Sequence, residues 1–454
     1  MLGLDFVLNS TKGKLVSGRG HGSFSGVSTD SRNISDGEIF FALKGDNHDG
    51  HEYIDEALKK GASGAVIEDS SRAHNGGKLL IQVPSTLKAL GDLASGWRKS
   101  FPELKLAAIT GSNGKTTTKE MAWSIVSRKY KTLRNTGNFN NLIGLPLTLF
   151  RLDASYKAAV VELGMNEFGE IRRLAEIALP DTGAITNIGR AHLERLGGIE
   201  GVAKAKGELV EGFGRGNVFV VNADDPRVVE IARDTDCRKI TYGIKSAEAD
   251  VTAKDIRQDG FSGINFLMAA GGEEFPVRLS GIGMHNVMNA LCASSIALSF
   301  GCGKDEITEG LGGFSLPRMR LEVEESPAGF KVINDTYNAN PESMRSAVNE
   351  LMALKGGGRA IAVLGDMLEL GEMSTGEHSG LGEYLAASGV DYVIALGIFG
   401  RAVLEGAGNK TNGFYAESHE EAARIVREIA GQGDLVLVKG SRGMRMEEVT
   451  NRLV

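Results

Sequence analysis

KLAAITGSNGKTTTKEMAWSIV, residues 105–126, decides the fold class of this chain. Its opening, LAAIT, reads as a buried strand. The next four residues hold two glycines, and the remainder has the length and pattern of a helix. That order of strand, glycine turn and helix is what a phosphate cradle requires. Glycines let backbone N–H groups turn inward, and the helix N-terminus adds partial positive charge. The candidate phosphate-binding residues are therefore Thr110, Gly111, Ser112, Asn113, Gly114, Lys115, Thr116 and Thr117. Lys115 is expected to reach the terminal phosphates of a nucleotide and the Thr116 hydroxyl to bind Mg²⁺. One feature departs from the common phosphate loop: Ile109 stands where that motif has its first glycine, so the loop is the shorter GxxGKT.

Outward from the loop, short apolar runs alternate with amphipathic ones in three blocks. The first, residues 1–104, contains EIFFALKG, GAVIE and KLLIQVP as strands and a helix near Tyr53–Lys60. The second, 105–315, continues after the loop with strand-like AAVVELG, GAITNIG and NVFVVNAD and closes with a helical run from about His285 to Leu298. In the third, 316–454, FKVINDTYN, AIAVLGDM, DYVIAL and DLVLVKG are separated by helical stretches. Strands alternating with helices of this length imply right-handed crossovers and mainly parallel sheets, an α/β protein.

The bulk composition narrows the chemistry. Among 454 residues, 61 are glycine, more than the usual share of about 7%, and they sit where apolar runs meet helical ones. A net charge of −7 argues against nucleic acid as the main partner, because binding a phosphate backbone needs a clustered basic face. Cys237, Cys292 and Cys302 form no CxxC pair, so neither a disulfide framework nor a zinc site is expected, and a reducing cytoplasm fits. No basic-then-apolar leader and no membrane-length apolar run is seen.

A nucleoside triphosphate brings Mg²⁺, which prefers hard oxygen ligands at a neighbouring strand end. Glu162, closing AAVVELG, is the candidate there. His192 follows the next strand in a polar turn, where an imidazole can serve a second metal. Lys206 lies in the helical run VAKAKGELV, and the residues alone do not distinguish it from Lys204.

At these positions the chain resembles the Mur ligase family, with folylpolyglutamate synthetase as a more distant relative. GSNGKTTTKE, VELGMN and NIGRAHLERLGG are similar to that family's central domain. STDSR (28–32), IFFALKGDNHDGH (39–51), TGNFNNLIGLPLTL (136–149), GMHNVMNALCA (283–293), INDTYNANPESM (333–344), VLGDMLELGEMS (363–374) and VKGSRGMRMEEV (438–449) resemble the branch that appends D-alanyl-D-alanine. The resemblance implies three domains: a small N-terminal α/β domain for the UDP-linked substrate, a central phosphate-loop domain with a mostly parallel sheet, and a C-terminal Rossmann-like domain. It implies a cytoplasmic, monomeric enzyme that uses ATP and Mg²⁺ to join D-alanyl-D-alanine to a UDP-N-acetylmuramoyl tripeptide, with no nucleic-acid or membrane partner.

Residue roles follow from the same resemblance. Lys115 and Thr116 hold phosphates and metal, Glu162 ligates the first metal and His192 the second, and Lys206 matches a lysine carried as a carbamate. Asn286 and Asn289 lie near the adenine, and Asp335 and Tyr337 at the ATP crevice. Arg320 matches an arginine that reaches back to the phosphates. Thr29, Asp30, Ser31 and Arg32 hold the uridine nucleotide, Asn138, Asn140 and Asn141 lie where the muramoyl peptide enters, and Lys439, Ser441 and Arg442 face the dipeptide. Two rival readings remain: another ligase of the family or a folate ligase, and a phosphate-loop kinase or NTPase. TYNANP and LGDMLELG disfavour the first rival, and the short loop with its third block disfavours the second.

Overall fold

The computed structural model describes residues 1–18, 22–45, 48–72, 77–191 and 193–454. The chain forms two compact units. One holds Met1–Ala108, Tyr130–Met165 and Gly169–Asp181, and the other holds Ile109–Lys129, Asn166–Phe168 and Thr182–Val454. The expected middle block is thus shared between the units, and the expected third block lies in the second.

The first unit contains a five-stranded sheet, β1 (Lys14–Ser17), β2 (Val27–Ser28), β3 (Ile39–Phe41), β4 (Gly64–Ile67) and β5 (Leu79–Gln82), in spatial order β1-β5-β4-β3-β2. Only the β1–β5 pair is antiparallel. Helices α1 (Ile54–Lys59) and α2 (Thr86–Lys99) accompany it. Strands β3 and β4 are buried along their whole length, which explains why they read as unbroken apolar runs.

Strand β6 (Lys105–Thr110) leads to the glycine turn and to α3 (Lys115–Val126) in the second unit, as the sequence predicts. The first unit resumes with β7 (Thr132–Arg134), α4 (Gly144–Leu149), β8 (Ala158–Glu162) and α5 (Glu170–Ala178), β7 and β8 pairing in parallel.

The rest of the second unit carries β9 (Thr182–Ile185), α6 (Ile199–Gly207), β10 (Val218–Asn222), α7 (Pro226–Arg233) and β11 (Arg238–Gly243). It continues with β12 (Val251–Gln258), β13 (Ile264–Ala270), β14 (Glu273–Leu279) and α8 (His285–Ser299). Strands β9 to β12 pair in parallel, whereas β12, β13 and β14 form an antiparallel meander. The sequence reading contains no strands here. Buried residues alternate with half-buried ones along β13 and with exposed ones along β14, the mark of a sheet with one more solvated face.

A six-stranded sheet follows: β15 (Glu322–Glu325), β16 (Lys331–Asp335), β17 (Ala360–Leu364), β18 (Tyr392–Leu396), β19 (Asn412–Ala416) and β20 (Leu435–Lys439). Its spatial order is β15-β16-β20-β17-β18-β19, parallel except at β15. Helices α9 (Pro341–Leu354), α10 (Ser374–Ser388), α11 (His419–Ile429) and α12 (Glu447–Leu453) belong to it. Val332, Val363, Ile394 and Val436 pack with Ala422 and Val426 of α11 and Val449 of α12 in one core. In such a sheet, ligands bind beyond the carboxyl ends of the strands. Asp335 and Lys439 stand there, as the last residues of β16 and β20.

Candidate active site

The phosphate loop owes its shape to two glycines that no other residue can replace. Gly111 has φ +145°, and a Cβ on it would lie 1.9 Å from Thr186 Oγ1. Gly114 has φ +80°, and its Cβ would lie 2.2 Å from Asn289 Oδ1. Side chains are excluded both by backbone strain and by contact. Lys115 Nζ curls back to donate to the carbonyls of Gly111 at 2.8 Å and Ser112 at 3.3 Å, so its ammonium sits over the turn.

The wall behind the loop comes from Thr186–Gly189, after β9. Ser112 N–H donates to Asn187 O at 3.0 Å. The Asn187 side chain pairs with both main-chain groups of Asn113, accepting from its N–H at 2.9 Å and donating to its carbonyl at 3.1 Å. Thr186 Oγ1 donates to the same carbonyl at 2.6 Å. Ser112 Oγ donates to Gly189 O and accepts from Gly189 N–H. The N–H groups of Ser112 and Asn113 are therefore engaged by this wall. This refines the expectation that the whole loop offers its amides to a ligand. At the first turn of α3, helix geometry points the N–H groups toward the loop without intrahelical acceptors.

Thr110 is buried, and its hydroxyl has no hydrogen-bond partner. Its contribution to the loop is its carbonyl, which accepts from Thr186 N–H. Thr117 is buried as well. Asn286 and Asn289 form a ladder at the start of α8. Asn286 donates to Ile282 O at 2.7 Å, Asn289 donates to Asn286 Oδ1 at 3.0 Å, and Thr118 Oγ1 donates to Asn289 Oδ1 at 3.3 Å. Both asparagines thus brace α3.

The third block meets this loop and the segment after its wall. Arg320 donates to Thr116 Oγ1 at 3.0 Å, with its guanidinium 4.0 Å from the centre of the Tyr337 ring. Asn340 Nδ2 donates to Asn113 Oδ1 at 2.7 Å. Glu342 accepts from Arg190 N–H at 3.1 Å, and the Arg190 guanidinium pairs with Glu377. Behind Arg320, Lys439 is buried and bonded to Asp335 Oδ2 at 2.5 Å and to Asn338 O at 2.9 Å. Ser441 is buried too, accepting from Leu368 N–H and donating to Ala339 O. Arg442 is exposed and pairs with Glu447 at 3.0 Å.

In the first unit, Glu162 is a buried carboxylate at the end of β8. Asn140 donates to its Oε1 at 2.8 Å. Asn135, which the sequence reading does not select, brackets the Glu162 main chain, donating to its carbonyl at 2.9 Å and accepting from its N–H at 3.0 Å. Asn141 Oδ1 accepts from Ile143 and Gly144 N–H, which anchors the start of α4. Asn138 is exposed.

Among the residues expected to hold uridine, Asp30 is gripped by both Nε and Nη2 of Arg32 at 2.9 Å. The Arg32 side chain holds the Asp30 carboxyl at about 2, below the usual carboxylate range. Ser31 is buried, and Thr29 half-buried. Lys206 and Lys204, alike in sequence, separate in the structure: Lys206 is 1% exposed and Lys204 lies on the solvent face of α6. His192 lies outside the described residues.

A strand, a GxxGKT turn and a helix, met by an arginine from the segment that leads into the six-stranded sheet, define an α/β enzyme of the phosphate-loop class. This chain belongs to the Mur ligase family. Residues 23–98 match the family's catalytic domain, 109–297 its middle domain and 319–442 its glutamate ligase domain. It is 35% identical to the UDP-N-acetylmuramoyl-tripeptide–D-alanyl-D-alanine ligase of Bacillus subtilis, covering 94% of this chain and 93% of that one. It is 36% identical to the enzyme of the same name from Treponema pallidum, covering 99% and 98%. Among solved structures, MurF from Acinetobacter baumannii superposes with a TM-score of 0.90 at 34% identity, covering 99% and 98%. MurF ligase from Thermotoga maritima in complex with ADP gives 0.84 at 28% identity, covering 94% and 96%.

Proposed function

We propose that this chain uses ATP to join the amine of D-alanyl-D-alanine to the terminal carboxylate of a UDP-N-acetylmuramoyl tripeptide. The observation that carries the chemistry is the meeting of two cations on one loop: Lys115 from α3, and Arg320, brought to Thr116 by the third block. The family relatives supply the substrates through their names. The blocks 1–104, 105–315 and 316–454 are proposed as the UDP-substrate-binding, ATP-binding and C-terminal Rossmann-like domains of a monomer in the cytoplasm. No helix among the described residues is long and apolar enough to cross a membrane.

A carboxylate is a poor electrophile, and phosphorylation makes it a good one. The tripeptide carboxylate oxygen attacks the γ-phosphorus, the bond to the ADP oxygen breaks, and an acyl phosphate forms. The obstacle is repulsion between two anions, which Lys115, Arg320 and the first-turn amides of α3 offset. The D-alanyl-D-alanine amine then attacks the acyl carbon, loses a proton and expels phosphate.

Magnesium suits the chemistry of the residues that the family resemblance assigns to it, taken one by one: the Thr116 hydroxyl is a hard oxygen, and Glu162 is a buried carboxylate. When bound, it neutralises phosphate charge. Asn140 orients the Glu162 carboxylate for this role. Burial favours Lys206 over Lys204 as the carbamate bearer, since a carbamate turns a buried cation into an oxygen ligand, and His192 is kept as a second metal ligand. Asn286, Asn289, Asp335 and Tyr337 are assigned to the ATP side, and Thr29, Asp30, Ser31 and Arg32 to the uridine nucleotide. Asn138 and Asn141 go to the peptide entrance, and Ser441 and Arg442 to the dipeptide.

Phosphate release with purified UDP-muramoyl tripeptides tests the assignment. Release should require D-alanyl-D-alanine. Release driven instead by glutamate, or steady without any amine, would move the chain to another ligase or to an NTPase.

A further inference from the structure

The third block delivers Arg320 to the phosphate loop through a strained segment. Met319 and Leu321, the residues on either side of Arg320, have φ +60° and +50°, a left-handed conformation that non-glycine residues adopt only when their surroundings impose it. Hydrogen bonds to Glu322, Tyr337 and Asp335 impose it. Met319 N–H donates to Glu322 Oε2 at 3.0 Å, and Met319 O accepts from Tyr337 N–H at 3.2 Å. Leu321, whose side chain is buried, donates its N–H to Asp335 Oδ1 at 3.2 Å.

Asp335 is held in turn. Its other oxygen takes the Lys439 ammonium at 2.5 Å, and Lys439 is 2% exposed. The same ammonium donates to Asn338 O at 2.9 Å and approaches Asp335 O at 3.5 Å, so its three donors are directed at the 335–338 turn. A continuous chain therefore runs from the end of β20 to the loop: Lys439 to Asp335, Asp335 to Leu321 N–H, Arg320 to Thr116 Oγ1.

We infer that Lys439 is a positioning residue for ATP handling. By fixing Asp335 it fixes the strained turn that aims Arg320 at the phosphate loop, and it does not contact the dipeptide. This departs from the dipeptide-facing role that the family resemblance implies for Lys439. It rests on the ligase reading above, and in particular on Arg320 acting at the phosphates. Removing the ammonium leaves Asp335 with a charge and no cation, so its carboxylate turns toward solvent, the Leu321 anchor is released and Arg320 leaves Thr116.

The test is Lys439→Met alone and in an Arg320→Ala background, with KM for ATP and for D-alanyl-D-alanine measured separately. Calorimetry with a non-hydrolysable ATP analogue gives affinity independent of turnover. Lys439→Met should lower kcat/KM for ATP and weaken analogue binding by about tenfold, the scale of one charge-assisted contact. KM for the dipeptide should stay within about twofold. In the Arg320→Ala background the same substitution should add nothing, because the chain is already cut.

A rise confined to the dipeptide KM, or full additivity with Arg320→Ala, would overturn the inference. So would a lower melting temperature with unchanged kinetics of the folded enzyme. Should Lys439→Met not fold, Lys439→Gln keeps a donor to Asn338 O, and it should show a smaller effect on the same ATP parameters. If Arg320→Ala itself leaves ATP affinity and turnover intact, the proposed role of Arg320 fails, and the failure is then not that of Lys439.

Discussion

At the scale of single residues, the loop combines positions that tolerate nothing larger than glycine with one cation that carries charge. Gly114→Ala places a Cβ against Asn289 Oδ1 at φ +80°. It should cost about 1–3 kcal/mol of stability and abolish calorimetric binding of ADP; normal affinity would show that the turn is not the nucleotide cradle. Lys115→Ala removes the ammonium over the turn and should reduce product formation at least about a thousandfold, with the circular dichroism spectrum unchanged. The loop is legible in sequence because glycine, lysine and threonine at fixed spacing have few other uses. Thr186, Asn187 and Asn340 are not, because polar residues after a strand also make ordinary turns, and only the folded chain brings them to Asn113. Lys206 was indistinguishable from Lys204 for a related reason: helical spacing does not say which face is buried when both neighbours are small.

At the scale of elements, α9 carries its own start signal, and that signal has a second use. Asn340 caps the helix by accepting from Ser343 N–H at 2.9 Å, with proline at the first turn. Serine is an equally good cap but too short to reach Asn113. Asn340→Ser should therefore change stability by only a few tenths of a kcal/mol, while raising KM for ATP severalfold. An unchanged KM would leave the contact without function. Next to it, the loop after β17 is pinned by a buried imidazole. His378 accepts from Met367 N–H at 2.9 Å, and its Nδ1–H donates to Ser374 O at 2.6 Å. Burial pushes its pKa below the ordinary histidine value, against the opposing pull of Ser374 and Asp366. The folded state thus holds the neutral ring, and its contribution is complete above the unfolded value of about 6.5. It is lost as pH falls below that value, because the unfolded chain takes up the proton first. Urea midpoints at pH 7.5 and 5.5 should fall further for the native chain than for His378→Gln; equal slopes would contradict the assignment. The parallel strands are legible as short apolar runs. The meander β12–β14 is not, although Asp259–Gly260 and Gly271–Gly272 are hairpin signals that a closer reading of the turns finds.

At the scale of the whole molecule, the sequence divides into three blocks of the Mur ligase family, while the folded chain divides into two compact units. The second unit joins the phosphate loop to the six-stranded sheet, and that union gives the loop a second cation. A block that brings Arg320 to Thr116 also gives a way to exclude water while a labile acyl phosphate exists. If ATP activates the tripeptide carboxylate by phosphorylating it, the fate of one oxygen atom shows it most directly. A UDP-muramoyl tripeptide labelled with ¹⁸O in its terminal carboxylate should transfer one labelled oxygen to the phosphate released with each amide bond. Unlabelled phosphate accompanying full product formation would contradict the account.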